Sequence, residues 1–287
     1  MHTKSIHAKH SGTFKLGDKL PVHRLGYGAM RLTGRGVWGP PADHGAAIAT
    51  LRRAIDLGIN FIDTAESYGP GISEELIAEA LHPYPRDLVI ATKGGLDRSG
   101  PNQWPVNGRP DRLRDELEGS LRRLKLDFID LYQLHRIDPN VPEADQFGFL
   151  QTMQAEGKVR HLGLSEVSVD QIELAGRFFT VVSVQNKFNL ADRQWESVLK
   201  YCEIQNIAFI PWYPLQIGTL KGSPVLNRIA HAHGATPPQI ALAWLLHRSA
   251  VMLPIPGTSQ VAHLEENVAA AGLELSAQDM DALSAAA

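Results

Sequence analysis

Leu57-Gly58-Ile59-Asn60-Phe61-Ile62-Asp63-Thr64-Ala65-Glu66-Ser67-Tyr68-Gly69 is the stretch whose reading decides the fold. A helical pattern ends at Gly58, and the apolar run 59–62 reads as a short buried strand. Asp63 stands where that strand stops. Tyr68 follows in a loop, before a new helical pattern begins near Ser73. An acid at a strand's end with a tyrosine just beyond it is how an α/β barrel presents reacting groups. The next two strand-like runs end the same way, with Lys93 after 87–92 and His135 after 128–134.

Outward from this stretch, strand and helix alternate. Toward the N-terminus, 13–16 and 19–23 flank Gly17-Asp18 as a hairpin, and 25–30 is strand one, its glycines allowing close backbone approach. A Gly- and Pro-rich loop, 34–41, carries Trp38 and leads to a helix over 43–57 with Ile48, Leu51, Ala54 and Ile55 on one face. Toward the C-terminus the spacing predicts strands at 88–92, 128–134, 159–164, 181–185, 207–211 and 251–255. Helices are expected over 74–81, 111–124, 144–156, 169–176, 192–205, 238–247 and 261–271. The loop 94–110 holds Trp104. Strands apolar on both faces imply a parallel sheet covered by helices, and eight such units close a (β/α)8 barrel. Two further helical patterns, 223–233 and 276–285, fall outside the repeat. One domain over 1–287 is the expectation.

Composition excludes other classes. With 287 residues and a net charge of −3, nothing suggests a nucleic-acid or anionic-membrane surface. No apolar run approaches the roughly 18–20 residues of a membrane span, and residues 1–10 lack the apolar core of a secretory signal. Their histidines are spaced too irregularly for a metal site, so a frayed polar terminus is expected. The single cysteine, Cys202, has no intrachain partner, fits a reducing compartment and reads as a small core residue. A cytoplasmic protein is expected, with a monomer plausible, and no Cys/His/Asp set has metal-ligand spacing.

The quartet Asp63, Tyr68, Lys93 and His135 resembles the catalytic tetrad of the aldo-keto reductases, and the resemblance extends over nearly the whole chain. It implies an N-terminal hairpin plugging the barrel bottom, two extra helices and NADP(H)-dependent reduction of an aldehyde or ketone. Lys93, paired with Asp63, would lie near the Tyr68 hydroxyl and lower its pKa, making it a usable general acid. His135 would donate to the substrate carbonyl. The region also resembles pyridoxal reductases around 24–41 and 255–267, so pyridoxal is a candidate substrate. The same fold serves as the β subunit of potassium channels, a cofactor-binding regulatory alternative.

A hydride must come from a cofactor, and there is no GxGxxG after strand one. The resemblance implies nicotinamide in the barrel mouth instead. The family's carboxamide-holding positions fall at Ser165, Glu166 and Gln185; Glu166 departs from the family's Asn and can accept but not donate. Ser165 and Gln185 have a plainer reading as strand-end polar caps. Trp212, in the run Trp212-Tyr213-Pro214-Leu215, matches the aromatic that stacks on nicotinamide, with a core indole as the alternative. Gly218, in the loop 216–222, would let backbone N–H groups meet the pyrophosphate. Gly257, Thr258, Ser259, His263, Glu266 and Asn267 match the adenosine-phosphate grip at the last barrel helix. The Lys and Arg that many relatives place at 257 and 263 are missing. Trp38 and Trp104, with Tyr213, would wall an aromatic substrate cleft, or either tryptophan would anchor its loop.

Overall fold

The repeating pattern closes into a ring in the computed structural model, which describes residues 6–17, 19–215 and 223–286. An antiparallel hairpin, β1 (Thr13–Leu16) and β2 (Leu20–His23), precedes the ring. Seven strands then pair in parallel in chain order: β3 (Tyr27–Gly28), β4 (Phe61–Asp63), β5 (Val89–Gly94), β6 (Ile129–Leu134), β7 (Val159–Ser165), β8 (Val181–Gln185) and β9 (Ala208–Phe209). The helices between them are α1 (His44–Asp56), α2 (Ile72–Leu81), α3 (Pro110–Leu124), α4 (Glu143–Ala155), α5 (Val169–Ala175) and α6 (Glu196–Gln205). After β9 come α7 (Pro224–Ala232), α8 (Pro237–Arg248), α9 (Val261–Ala269) and α10 (Ala277–Ala285).

The eighth segment closes the ring without being a regular strand, contrary to the expectation for 251–255. On one side, Phe209 N donates to Val251 O and Leu253 N donates to Phe209 O, both at 2.8 Å. On the other, Gly26 N and Gly28 N donate to Pro254 O and Pro256 O at 3.0 and 3.4 Å. Pro254 and Pro256 have no N–H to return, so this seam lacks half its ladder. Gly28 permits the seam to close: a Cβ there would stand 2.6 Å from Ile255 O.

Other boundaries shift for local reasons. Strand one shrinks to Tyr27–Gly28 because a 3₁₀ turn, Ala29–Leu32, takes over at Ala29. The helix expected from 192 starts at Glu196, since Asn189 and Asp192 pair backbone to backbone in a turn. The last barrel helix ends at Ala269 and tightens into a 3₁₀ turn, Ala270–Gly272.

Phe14, Leu16 and Val22 of the hairpin are buried in one core with Phe61, Leu131 and Val159. His23 N donates to Asn60 Oδ1 at 2.8 Å, tying the hairpin beside the start of β4. The opening histidines are not frayed where they are described. His7 caps the 3₁₀ turn Ala8–Ser11, and Ala8 N donates to Leu57 O at 2.8 Å, docking this segment on the end of α1. A second core joins Leu51, Ile62, Leu76 and Ile90 with Leu264 and Val268 of α9. Cys202 is buried on α6, its thiol pushed up to about 12 by burial, and is an inert part of the core. Among the described residues no helix is long and apolar enough to cross a membrane.

Candidate active site

Asp63 ends β4 and Lys93 lies near the end of β5, two adjacent parallel strands, so their side chains meet at one mouth of the ring. Lys93 Nζ donates to Asp63 Oδ1 at 2.6 Å and to Thr64 O at 2.8 Å. Both residues are withdrawn from solvent, with side chains 0 % and 2 % exposed. Two neutral amides complete the carboxylate: Gln185 Nε2 donates to Asp63 Oδ2 at 2.8 Å and Gln133 Nε2 at 3.2 Å. Gln133 is itself set by Ser183, whose Oγ donates to Gln133 Oε1 at 3.2 Å. Gly163 lies between them in the sheet register, and a Cβ there would stand 2.1 Å from Ser183 Oγ. A buried ion pair survives only when its remaining lone pairs are satisfied, and these amides satisfy them.

Tyr68 and His135 join this pair at the mouth. The Lys93 ammonium is 5.3 Å from the Tyr68 ring centre, and the Tyr68 and His135 rings meet edge to face at 5.9 Å. His135 Nδ1 lies 3.4 Å from Ser67 Oγ. Burial, then the Lys93, Arg136 and Arg98 cations, hold the imidazole well below its ordinary pKa, so it is neutral near pH 7. In the tautomer whose Nδ1 accepts from the Ser67 hydroxyl, Nε2 carries the proton.

The Tyr68 phenol departs from expectation. Lys93 does favour the phenolate, but burial outweighs it and the Asp63 carboxylate adds to burial, so the pKa is raised. The phenol therefore holds its proton throughout the neutral range.

Behind this group lies an acid network that sequence reasoning missed. Gly95 N donates to Glu116 Oε2 at 2.6 Å, and Arg112 Nη2 is 3.2 Å from Glu116 Oε1, fastening the end of β5 just past Lys93. Arg112 also reaches Asp97 at 2.7 Å and Glu66 at 3.9 Å. Burial above all, with Glu66 and Asp97 nearby, pushes Glu116 up to about 8 despite Arg112. A carboxyl raised in the folded state stabilises it below the ordinary carboxylate range, and that stability is lost as pH rises through the folded value. The melting temperature should therefore fall between pH 6 and pH 9, and fall less in Glu116→Gln. Scanning calorimetry at both pH values checks this; equal slopes in the two proteins would refute it.

The residues assigned to the cofactor divide. Ser165 Oγ donates to Gln185 O at 2.8 Å and accepts from Arg136 Nη1 at 3.0 Å, tying the ends of β7 and β8. The Gln185 amide N–H is used on Asp63, so this residue belongs to the ion-pair shell. Glu166 adopts a positive φ of 56°, and its Oε1 accepts from Lys187 N at 2.6 Å and Trp212 Nε1 at 2.7 Å. That carboxylate oxygen faces protein donors rather than an open position. Trp212 is half-buried at the mouth, not a core indole, and Arg136 stands 6.0 Å from its ring. Tyr213 is exposed with φ 57°, Pro214 is buried and Leu215 packs at the core's edge. Gly218 and the loop 216–222 lie outside the described residues.

At the far end, the first turn of α9 has no side-chain cap, leaving N–H groups open. Gly257, Glu266 and His263 are exposed, Ser259 is half-buried, and Thr258 and Asn267 are buried. Tyr27 Oη donates to Thr258 O at 2.5 Å, fixing this turn against β3. Glu265 is paired with Arg53 at 2.7 Å. Arg31 packs its stem beside Gly257, where a Cβ would stand 3.5 Å from Arg31 Cγ. The Arg31 side chain thus passes a turn that has no Lys or Arg at 257 or 263.

Trp38 and Trp104 meet through Arg98, whose guanidinium lies 3.6 Å from the Trp104 ring centre and 5.5 Å from that of Trp38. Trp104 also stands edge-on to Tyr68 at 6.3 Å. The two readings of Trp104 merge: it anchors its loop and borders the tyrosine.

Known proteins resemble this chain in sequence and in fold. An uncharacterised oxidoreductase of Schizosaccharomyces pombe is 56 % identical over 277 residues, covering 96 % of this chain and 90 % of its own. The pyridoxine 4-dehydrogenase of Escherichia coli is 43 % identical over 279 residues, covering 95 % and 97 %. The crystal structure of an aldo-keto reductase from Klebsiella pneumoniae in complex with NADPH superposes with a TM-score of 0.80 at 27 % identity, covering 94 % of this chain and 93 % of that one. The family model for the aldo/keto reductases matches residues 24–287, and this chain belongs to the aldo/keto reductase family.

Proposed function

We propose that this protein is an NADP(H)-dependent oxidoreductase that reduces an aldehyde or ketone to an alcohol, working as one barrel in the cytoplasm. One observation carries the reading: a buried Asp63–Lys93 pair, its carboxylate completed by two amides, set against a protonated phenol and a neutral imidazole at the barrel mouth. A pair so costly to bury has its use in controlling what stands beside it.

The bound nicotinamide would supply the hydride, which no side chain can. Tyr68 holds a proton ready for the forming alkoxide oxygen, and its raised pKa keeps that proton in place through the neutral range. His135, neutral, orients the carbonyl by donation from Nε2. Lys93 stabilises the phenolate left behind, and Asp63 fixes Lys93 so that the ammonium is in place before the proton moves. Trp212, held by Glu166 through its indole N–H, offers a flat face for nicotinamide, with Ser165 and Arg136 beside it. The open N–H groups of the α9 first turn, with Ser259, His263 and Arg31 close by, suit the adenosine phosphate.

A purified sample should oxidise NADPH, followed by its absorbance, with a panel of aldehydes that includes pyridoxal. The last is chosen because a relative acts as a pyridoxine 4-dehydrogenase. No turnover across the panel would instead favour a cofactor-binding regulatory protein. NADPH should bind more tightly than NADH, by the few-fold that an exposed helix terminus gives at about 0.3–1 kcal/mol, with charged side chains adding to it. His263 stands exposed on that first turn and can donate to a phosphate there, so the affinity ratio should fall in His263→Ala. A ratio unchanged by removing His263 would show that it does not read the phosphate.

A further inference from the structure

Arg98 is a loop residue of the β5–α3 connection, half-buried, with every N–H of its guanidinium used on a backbone carbonyl. Nε donates to Gln103 O at 2.8 Å, and Nη1 donates to Val37 O at 2.8 Å and Ser67 O at 2.6 Å. Nη2 donates to Gly36 O at 3.1 Å and Gly100 O at 3.2 Å. These acceptors come from three separate connections: the 33–43 loop, the Tyr68 loop and Arg98's own loop. The flat face of the guanidinium lies on Trp104, the aromatic whose edge meets Tyr68.

Direct backbone contacts between the loops are few. Gly39 N donates to Gly69 O at 3.0 Å, and Asn102 N donates to Gly36 O at 2.9 Å. Ser67 O, one residue before Tyr68, has its bond from Arg98. Only a planar five-donor fork can serve five carbonyls from one point; a lysine has three donors and no face to stack.

We propose that Arg98 is a positioning residue for carbonyl reduction: it locks the Trp38 loop, the Trp104 loop and the Tyr68 loop into one wall of the mouth, and so sets how a flat aromatic substrate stands against Tyr68. This rests on the function proposed above, with the Tyr68 phenol as proton donor. The clamp carries the aromatic side of the mouth, away from the Asp63–Lys93 pair, so its loss acts on binding of large substrates more than on proton transfer.

Arg98→Ala and Arg98→Lys test it with two readouts. In kinetics, the KM for 4-nitrobenzaldehyde should rise about tenfold or more, as loss of positioning does, while kcat for propanal changes less than about threefold. Affinity for NADPH should stay as in wild type. Added guanidinium ion at low millimolar concentration should restore much of the loss in Arg98→Ala, and Arg98→Lys should recover only part of it. In fluorescence, acrylamide should quench the Trp104 component, identified by comparison with Trp104→Phe, more strongly in Arg98→Ala than in wild type. Equal losses for both aldehydes, a parallel fall in NADPH affinity, or unchanged quenching would overturn the proposal. The quenching needs no turnover, so a failure of the proposed activity and a failure of the clamp are separable.

Discussion

Tyr68→Phe should reduce aldehydes at least ~10²-fold more slowly than wild type while binding NADPH with near-normal affinity, the scale expected when a general acid is removed. The substitution deletes one oxygen and leaves the ring. That ring meets His135 edge to face at 5.9 Å and Trp104 at 6.3 Å, contacts a phenylalanine keeps. A loss of rate therefore reports the proton, not the packing. The raised pKa adds a second expectation. Because burial keeps the phenol protonated, the reduction rate in wild type should show no loss of the proton donor between pH 6 and pH 8. The reverse oxidation, which needs the phenolate as base, should climb with pH over the same range. Near-wild-type turnover in Tyr68→Phe, with folding and cofactor affinity intact, would remove Tyr68 from the mechanism.

The parts of this site that sequence makes legible are those where a polar residue ends an apolar run. Asp63, Lys93 and His135 each stand out in this way, and Tyr68 follows at a fixed offset, so chain order alone places them at one mouth. Strand eight shows the limit of the same signal. Its apolar pattern is plain, but Pro254 and Pro256 remove the N–H groups that a regular ladder needs, leaving a seam closed from one side. Gln133 and Ser183 escape a reading by motif, although a polar side chain inside an apolar strand run is a usable sign. Arg98 offers none: its acceptors lie as far as 62 residues away in the chain, and a loop arginine resembles any solvated one. The direction of the Tyr68 shift fails for a different reason. A charge partner can be read from position, but desolvation depends on what the whole fold packs around a group. Glu166 shows a related gap, since its departure is visible in the sequence while its use, holding the Trp212 indole, is not.

Lys93→Met should lose at least as much activity as Tyr68→Phe and, unlike it, should also lose stability. Removing the ammonium leaves the Asp63 carboxylate 2 % exposed and without its cation. Breaking a buried pair from one side costs about 3–5 kcal/mol, because the remaining charge is uncompensated. The two donating amides, Gln185 and Gln133, soften that cost without cancelling it. Stability and activity then need separating, which a second substitution does. In Lys93→Met/Asp63→Asn the buried charge is gone on both sides, and the introduced carboxamide can still accept from an amide. Much of the lost stability should return. Activity should not, because neither a stabilised phenolate nor its positioned cation is restored. Urea unfolding of the two single variants and the double, beside their rates with one aldehyde, makes the comparison. If the double variant recovers rate in step with stability, Lys93 is a structural ion-pair partner and nothing more. If it recovers stability alone, the ammonium acts on the Tyr68 proton.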